Sequence, residues 1–347
     1  MKHFNNEEFK RGWHVLILAI VGVATSSSSL LLYSFSSMVI PLEQAMGWAR
    51  SDLQAAITAL SLGTIVAAQL AGWLNLRYGL RAVTLVSLVV LSLSLFMLAH
   101  VGGSIWMLYL GFFLVPLAGV GTLQITWSHL VNLWFERNRG LALAVILCGT
   151  GLMAVVLPPL LARLIAQFGW QAGFFTLAAL PLLFTLPMAL LWMRLPGELE
   201  PASPGGSETV AQLDGFSFSQ VLRSPVYWSF NVALILSVCL TVGMVTNIVP
   251  MLQGKGLSAQ AASQVFSSFG ISIIAGRLLV GYLLDRYPPI LVAVISLALP
   301  AIGCVIFLFA GVQSMALLVL ATLCIGASAG AEFDLAAFLM ARYFGLR

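Results

Sequence analysis

The stretch VFSSFGISIIAGRLLVGYLLDR, residues 265–286, decides the fold class of this chain. Its first twenty residues carry a single charge, Arg277, in a run long enough to cross the ~30 Å hydrocarbon core of a bilayer as a helix. Because a helix rises about 1.5 Å per residue, Arg277 lies roughly 13 Å deeper than Arg286. An arginine at that depth costs on the order of 2.5 to 3.5 kcal/mol on insertion scales, so it is expected to face a polar cavity or a partner rather than lipid.

The composition of the whole chain agrees with a membrane protein. Hydrophobic residues make up 60% of the sequence and charged residues 8%, against roughly a quarter charged in soluble domains. The net charge of +4 does not indicate a nucleic-acid partner, because the basic residues lie in short loops where they act as topology signals. The four cysteines lie in apolar segments and are interpreted as small core residues. We therefore expect an all-α polytopic membrane protein. The sequence shows no nucleotide-binding loop, metal cluster or catalytic triad, so no cofactor, no metal site and no enzymatic activity are expected.

Hydropathy over windows of about twenty residues predicts ten membrane helices. They lie near 13–40, 53–75, 81–100, 105–132, 140–166, 171–193, 227–251, 262–284, 289–311 and 313–338. Most of the Lys and Arg residues fall on one side of this map, which predicts that both termini are cytoplasmic. The polar segment that follows Pro196 divides the map into six helices and four. The predicted domains are a six-helix bundle at 1–194, a cytoplasmic linker at 195–224 and a bundle of four helices at 225–347.

An internal repeat relates the two parts of the chain. Gly72 and Arg77 follow the second predicted helix, and Gly281 and Arg286 follow the eighth at the same spacing, with an offset of 281 − 72 = 209. The aromatic pair Trp134-Phe135 corresponds to Tyr343-Phe344, 209 residues later at the end of the tenth predicted helix. Two distant landmarks with one offset predict two homologous halves, as in transporters built from parallel repeats.

The same offset predicts more helices than the sequence contains. The counterparts of the fifth and sixth helices would lie beyond residue 347. The expectation is that the second bundle is incomplete, with four of six helices, and that the chain inserts into a membrane but transports poorly. The alternative is a true protein of ten helices.

Several motifs resemble a known family. Gly72-Trp-Leu-Asn-Leu-Arg77-Tyr-Gly79-Leu-Arg81 resembles the signature loop between helices two and three of the major facilitator superfamily. Gly281-Tyr-Leu-Leu-Asp285-Arg286 resembles the counterpart of that loop between helices eight and nine. The resemblance implies a two-bundle fold and a role for these residues in conformational switching. Leu76 departs from the family pattern, since an acid is usual there, whereas Asp285 keeps it in the second copy.

Motifs near the C-terminal end of the sequence resemble one branch of that superfamily. Gly330-Ala-Glu332-Phe-Asp334 and the Arg342-Tyr343-Phe344-Gly345 run are similar to the monocarboxylate and oxalate:formate antiporter branch. In that branch an arginine in the setting of Arg277 binds the substrate carboxylate. A planar guanidinium suits this role because it offers two parallel hydrogen bonds to a carboxylate. The alternative is a structural arginine that pairs with an acid or a helix-end carbonyl.

Other polar residues in the predicted helices are candidates for the transport site. Glu332 is predicted to lie at about the depth of Arg277, where it would either pair with that arginine or carry a coupling proton; a fixed structural salt bridge is the alternative. Asp334 points about 200° away from Glu332 around the helix, so at most one of the two faces the same cavity. Tyr33 and Asn247 are the other predicted substrate-binding residues.

Together these features predict a secondary active transporter of a small organic anion, a mono- or dicarboxylate, by alternating access in a bacterial inner membrane. Coupling would be proton symport or anion exchange, so the expected partners are the anion, the lipid bilayer and protons. Two alternatives stay open at this point. One is an exporter of a drug or metabolite on the same fold, and the other is a truncated remnant that does not transport.

Overall fold

The computed structural model describes residues 6–135, 138–193, 224–284, 286–311 and 314–344, and the regular structure of these residues is helical. The first half contains α1 (Asn6–Ala24), α2 (Ser27–Met46), α3 (Arg50–Tyr78), α4 (Leu80–Leu98), α5 (Ile105–Ala118), α6 (Gln124–Trp134), α7 (Arg139–Phe168), α8 (Gln171–Leu180) and α9 (Leu186–Trp192). The second half contains α10 (Pro225–Gly254), α11 (Ala259–Leu284), α12 (Pro289–Phe309) and α13 (Met315–Phe344). The predicted linker at 195–224 lies outside the described residues except for Ser224.

The first predicted span, 13–40, is broken into α1 and α2, which bend by 45°. Ser26 at the break has an extended backbone, and its Oγ accepts a hydrogen bond from the backbone N–H of Ser29 at 3.3 Å. A serine in this position caps the start of a helix because its side chain satisfies an N–H that has no partner within the helix. The expectation of one continuous helix over this range is therefore corrected.

The fourth predicted span, 105–132, is also interrupted. α5 ends at Ala118, a 3₁₀ turn covers Val120–Thr122, and α6 begins at Gln124. Pro116 and Gly119 stand at the interruption, and both residue types weaken a helix interior. Hydropathy alone misses this break because the interrupted segment stays apolar.

Eight of the described helices, counting α8 to α9 as one, are long and apolar enough to cross a membrane, and the bent α1–α2 pair brings the number to nine. α5, with 14 residues, falls below that length. Many apolar side chains point outward from these helices, with Leu308 78% exposed and Leu183 68% exposed. Apolar outer faces of this kind suit a lipid surrounding, in which the backbone hydrogen bonds are satisfied within each helix.

The helix boundaries confirm the 209-residue repeat. α3 begins at Arg50 and α11 at Ala259, while α4 begins at Leu80 and α12 at Pro289. Both differences, 259 − 50 and 289 − 80, are 209. The sequence offset therefore corresponds to equivalent helices in the two halves.

The described residues form two compact units. The first contains residues 6–135 and 138–193 together with Thr246–Ser267, and the second contains residues 224–245 and the described residues from Ser268 onward. Trp127 and Phe135 lie at the centre of an apolar core in the first unit, and Val280, Ala331 and Leu335 lie in a core of the second. The C-terminal end of α10 and the N-terminal part of α11 thus belong to the first unit. The predicted domain boundaries remain a prediction.

Candidate functional site

Arg277 is buried at the contact between α11 and α13. Its side chain is 5% exposed, and its Nε donates a hydrogen bond to the backbone carbonyl of Gly330 at 3.3 Å. A side chain at Gly330 would collide with the backbone of α11 at Ile273 and Arg277, and one at Gly276 would collide with the carbonyl of Ala327. Small residues let two membrane helices approach closely. The glycines therefore bring the α13 backbone within reach of the guanidinium.

Glu332 is buried in the second unit among hydroxyl groups. The residue is 3% exposed, and its Oε1 accepts hydrogen bonds from Ser237 at 2.9 Å, Thr241 at 2.9 Å and Ser328 at 3.3 Å. Ser237 and Thr241 lie one turn apart on α10, so they share a face of that helix. A buried carboxyl group is tolerated when hydrogen bonds satisfy it, and here three neutral side chains do so.

The described contacts of Glu332 are with the hydroxyls of α10 and of Ser328. Its pairing with Arg277 therefore remains a prediction. Arg277 and Glu332 lie in the same unit. The side chain of Asp334 lies outside the described part of the chain. Ile273, the residue one turn before Arg277, is a buried apolar residue of α11.

The two other predicted binding residues belong to the first unit. Tyr33 lies on α2 and is half-buried. Asn247 lies on α10, and its Oδ1 accepts a hydrogen bond from Nε2 of Gln54 on α3 at 2.9 Å. The same amide nitrogen of Gln54 donates to the backbone carbonyl of Thr246 at 3.4 Å. Asn247 therefore links α10 to α3, while its role in substrate binding stays a prediction.

The two predicted switch loops share one local arrangement. The guanidinium of Arg77 lies 5.4 Å from the ring centroid of Trp73, and that of Arg286 lies 4.4 Å from the ring centroid of Tyr282. In each pair the aromatic residue precedes the arginine by four positions, and 282 − 73 is again 209. The attraction between a cation and an aromatic ring thus occurs at equivalent positions of both halves.

The remaining loop residues have distinct surroundings. Gly79 has φ +82°, a backbone conformation that favours glycine, and it separates α3 from α4. Arg81 donates to the backbone carbonyl of Leu190 at 3.3 Å. The positions where a Cβ would stand at Gly72 and Gly281 have no atom within 4 Å. Asp285 lies outside the described residues.

Sequence reasoning missed the hydroxyls around Glu332 and the aromatic partners of the loop arginines. Both had a signal in the sequence. Ser237 and Thr241 are hydroxyl residues four apart in an apolar helix, and Trp73 and Tyr282 are aromatic at the repeat offset. What sequence spacing does not give is which residue of another helix such groups will meet.

Membrane-crossing helices in two homologous halves, with a buried arginine and a buried acid in the second, are features of a polytopic transport protein. The model of the Major Facilitator Superfamily matches residues 16–347, and the chain belongs to this superfamily of membrane transporters.

Among curated proteins, the chain is 27% identical over 292 residues to an uncharacterized transporter of the superfamily, YhjX of Escherichia coli, a match that covers 83% of this chain and 70% of that protein. It is 29% identical over 279 residues to monocarboxylate transporter 11 of Homo sapiens, covering 79% of this chain and 57% of that protein. A third relative, YcxA of Bacillus subtilis, is 23% identical, and the match covers 79% of this chain and 65% of YcxA. The matches thus cover between 57% and 70% of the length of these three relatives.

Solved structures share the fold at low sequence identity. The nucleoside transporter NupG superimposes with a TM-score of 0.71 at 15% identity, covering 95% of this chain and 83% of that one. A bacterial homologue of the human lysosomal transporter Spinster, in an inward-facing conformation, gives a TM-score of 0.69 at 16% identity, covering 94% of this chain and 75% of that one. These similarities establish the major facilitator fold for this chain.

Proposed function

We propose that this chain serves secondary active transport of a small organic anion, and that Arg277 binds the carboxylate of that anion. The observation that carries the proposal is a buried arginine within a membrane-crossing helix, held by the carbonyl of Gly330. Ionisable residues at such a depth are expensive and mark substrate or ion pathways. The similarity to a protein named monocarboxylate transporter supports the same class of substrate.

Glu332 supplies the second part of the proposal. It is a buried acid in the same unit as Arg277, and Ser237, Thr241 and Ser328 hold its Oε1 in place. A carboxyl group in this setting can accept or release a proton when access to water changes, which is the chemistry that proton symport requires. We assign Glu332 to proton coupling, with anion exchange as the alternative mode.

Transport by this fold proceeds by alternating access, in which the two bundles rock around a site near the membrane midplane. The distribution of basic residues supports a cytoplasmic location for both termini, and we propose the bacterial inner membrane as the location. The activity is movement of a substrate without its chemical conversion.

Equilibrium binding to the purified chain in lipid nanodiscs tests the role of Arg277. The probes are lactate and oxalate, a mono- and a dicarboxylate, with uncharged lactamide as the matched neutral compound. Removal of a charge-assisted hydrogen bond costs about 1.5 to 3 kcal/mol, so Arg277→Gln is expected to weaken carboxylate binding about 10- to 100-fold. Arg277→Lys keeps the charge but lacks the planar guanidinium, so its carboxylate affinity is expected to lie between those of Arg277→Gln and the unaltered chain.

Arg163→Gln is the control, because it makes the same chemical change at an exposed arginine of α7. Its carboxylate binding should equal that of the unaltered chain. Equal carboxylate affinity for Arg277→Gln and the unaltered chain would refute the proposal. Binding of neutral apolar compounds that is insensitive to Arg277 would favour an exporter instead.

A further inference from the structure

Pro159 removes a backbone donor from the interior of α7. In a regular helix the N–H of residue 159 would meet the carbonyl of Val155, but proline has no N–H and its ring crowds that carbonyl. The carbonyl of Val155 instead accepts a hydrogen bond from Oγ of Ser267 on α11 at 2.9 Å. A donor from the second half of the repeat therefore satisfies a carbonyl that a proline frees in the first half.

Pro250 creates the reciprocal arrangement in α10. It occupies the position whose N–H would meet the carbonyl of Thr246. That carbonyl accepts from Nε2 of Gln54 on α3 at 3.4 Å, and the same nitrogen donates to Oδ1 of Asn247 at 2.9 Å. An amide nitrogen carries two hydrogens, so it can serve both acceptors. Here a donor from the first half satisfies a carbonyl that a proline frees in the second half.

Both contacts lie toward the same end of the helices. A cavity of about 450 Å³ opens there, where α2, α7, α10 and α11 come together. Ala162 and Ser263 line it, and Val155 and Ser267 lie two turns and one turn farther along α7 and α11, beyond its inner end. Gln54 lies in the second turn of α3, which follows α2 at this end. With both termini cytoplasmic, as proposed, this end faces away from the cytoplasm.

The prolines make the backbone of each half depend on the other half. The residues of both contacts belong to the first unit, so the contacts lie within one compact part of the molecule. Inside a bilayer a carbonyl needs a donor from the protein. A carbonyl bonded within its own helix keeps its partner when the halves separate, because the partner moves with it. The carbonyls of Val155 and Thr246 would lose theirs to water.

We propose that Ser267 and Gln54 hold this end of the transporter closed by bonding the carbonyls that Pro159 and Pro250 free, and that they thereby set the balance between its two access states. This proposal rests on the alternating access of the proposed function. It adds residues that act on the conformation of the protein without contacting the substrate.

The distance between two spin labels on the chain in lipid nanodiscs tests the proposal. The labels are attached to Gln167→Cys on α7 and Ala259→Cys on α11, two exposed positions at this end, after the four native cysteines are replaced by alanine. Loss of one hydrogen bond corresponds to about fivefold in an equilibrium constant. Ser267→Ala and Gln54→Met should therefore each raise the ratio of long to short distances about fivefold.

Two control variants make the same chemical changes on α3. Oγ of Ser61 donates to the carbonyl of Ile57 in its own helix at 2.9 Å, and Gln69 is exposed. Ser61→Ala and Gln69→Met should keep the distance distribution of the unaltered chain. A ratio that stays unchanged in either Ser267→Ala or Gln54→Met would overturn the proposal.

A Pro159→Ala background tests the part that the proline plays. Alanine restores the N–H, so the carbonyl of Val155 is satisfied within α7 with or without Ser267. Ser267→Ala should then change the distance ratio by less than about twofold, because the two sites are coupled. The same effect of Ser267→Ala in both backgrounds would mean that Ser267 acts by packing, and it would overturn the proposal.

The result is separable from the proposed anion transport, because the labels report the separation of the halves with no substrate present. Absence of carboxylate binding would refute the proposed function and would leave the distance ratios unaffected. One unchanged distance in every variant would refute the closing role of Ser267 and Gln54 and would leave carboxylate binding unaffected.

Discussion

The two halves of the molecule differ in their fourth predicted span, which is α5 and α6 in the first half and α13 in the second. By the 209-residue offset, the interruption Gly119–Leu123 between α5 and α6 corresponds to Ser328–Glu332. The first half leaves α-helical geometry there, whereas α13 continues without a break and carries the buried acid. At equivalent positions of the repeat, the first half thus has an interrupted helix and the second half has a candidate coupling residue.

The hydroxyl groups near this position serve different partners in the two halves. In the first half, Oγ1 of Thr122 accepts from the backbone N–H of Ser27 at 3.4 Å and donates to the carbonyl of Gly119 at 2.7 Å. Oγ of Ser87 accepts from the N–H of Gly121 at 3.0 Å. In the second half, Ser237, Thr241 and Ser328 instead meet the carboxyl group of Glu332.

This difference has a physical cause. Every polar group inside a bilayer needs a partner within the protein. Where a helix is interrupted, backbone N–H groups that have no partner within the helix donate to nearby hydroxyls. Where the helix is continuous, the hydroxyls are available to bind a side chain. In the second half α13 is unbroken, and the hydroxyls of Ser237, Thr241 and Ser328 bind the carboxyl group of Glu332.

The largest effect is expected from a bulky residue at Gly330. Gly330→Val would force apart α11 and α13, because the added side chain meets the backbone of Ile273 and Arg277. Overpacking of this kind costs about 1 to 3 kcal/mol, and here the neighbours are backbone atoms that cannot rotate away, so the upper end is expected. Thermal unfolding in nanodiscs measures the loss.

Gly243→Ala on α10 is the matched control, since no atom lies within 4 Å of its Cβ position. Its unfolding temperature should not fall, because alanine favours a helix over glycine. A Gly330→Val variant as stable as this control would show that the close contact of α11 and α13 does not exist.

The second effect separates the structural and the coupling roles of Glu332. Glu332→Gln retains a carbonyl that accepts from Ser237 and Thr241, so we expect a stability change within about 1 kcal/mol. Glutamine cannot release a proton, so the pH dependence of carboxylate binding should disappear. The double variant Ser237→Ala, Thr241→Val removes two donors and should lose about 1 to 3 kcal/mol of stability.

Glu43→Gln serves as the control for the charge change, because Glu43 forms an exposed ion pair with Arg50 at 2.9 Å, and such pairs contribute little. It should keep both the stability and the pH dependence of the unaltered chain. Carboxylate binding by Glu332→Gln with an unchanged pH dependence would remove Glu332 from the coupling mechanism.

Sequence patterns predicted most of the helices but not two of their breaks and not these partners. Long apolar runs and the 209-residue offset predicted the two halves because hydropathy and spacing are properties of one segment at a time. The break at Gly119 was not predicted, since it depends on contacts with other helices: Oγ of Ser87 accepts from the freed N–H of Gly121, and Oγ1 of Thr122 accepts from the N–H of Ser27. The depth of Glu332 was predicted to match that of Arg277, but its hydroxyl partners depend on how α10 packs against α13.

A third, smaller effect tests the broken junction of the first half. Thr122→Val keeps the shape of the side chain and removes the hydroxyl that bonds Ser27 and Gly119, so we expect a loss of about 1 kcal/mol. Thr64→Val is the control, because Oγ1 of Thr64 bonds only to the carbonyl of Leu60 within its own helix. If the two variants unfold at the same temperature, Thr122 does not hold the break.

The smallest effect concerns the feature that both halves share, the pairs Trp73–Arg77 and Tyr282–Arg286. Exposed pairs of a cation and an aromatic ring contribute about 0.5 to 1 kcal/mol, so the coupling energy from a double-mutant cycle should be of that size in each half. The cycle combines Trp73→Leu with Arg77→Gln, and Tyr282→Leu with Arg286→Gln, and unfolding in nanodiscs measures each variant. Tyr282 should couple more strongly than Trp73, because its ring centroid is 4.4 Å from the guanidinium instead of 5.4 Å. Coupling in one half alone would mean that the two halves share the sequence spacing of this pair but not its contribution to stability.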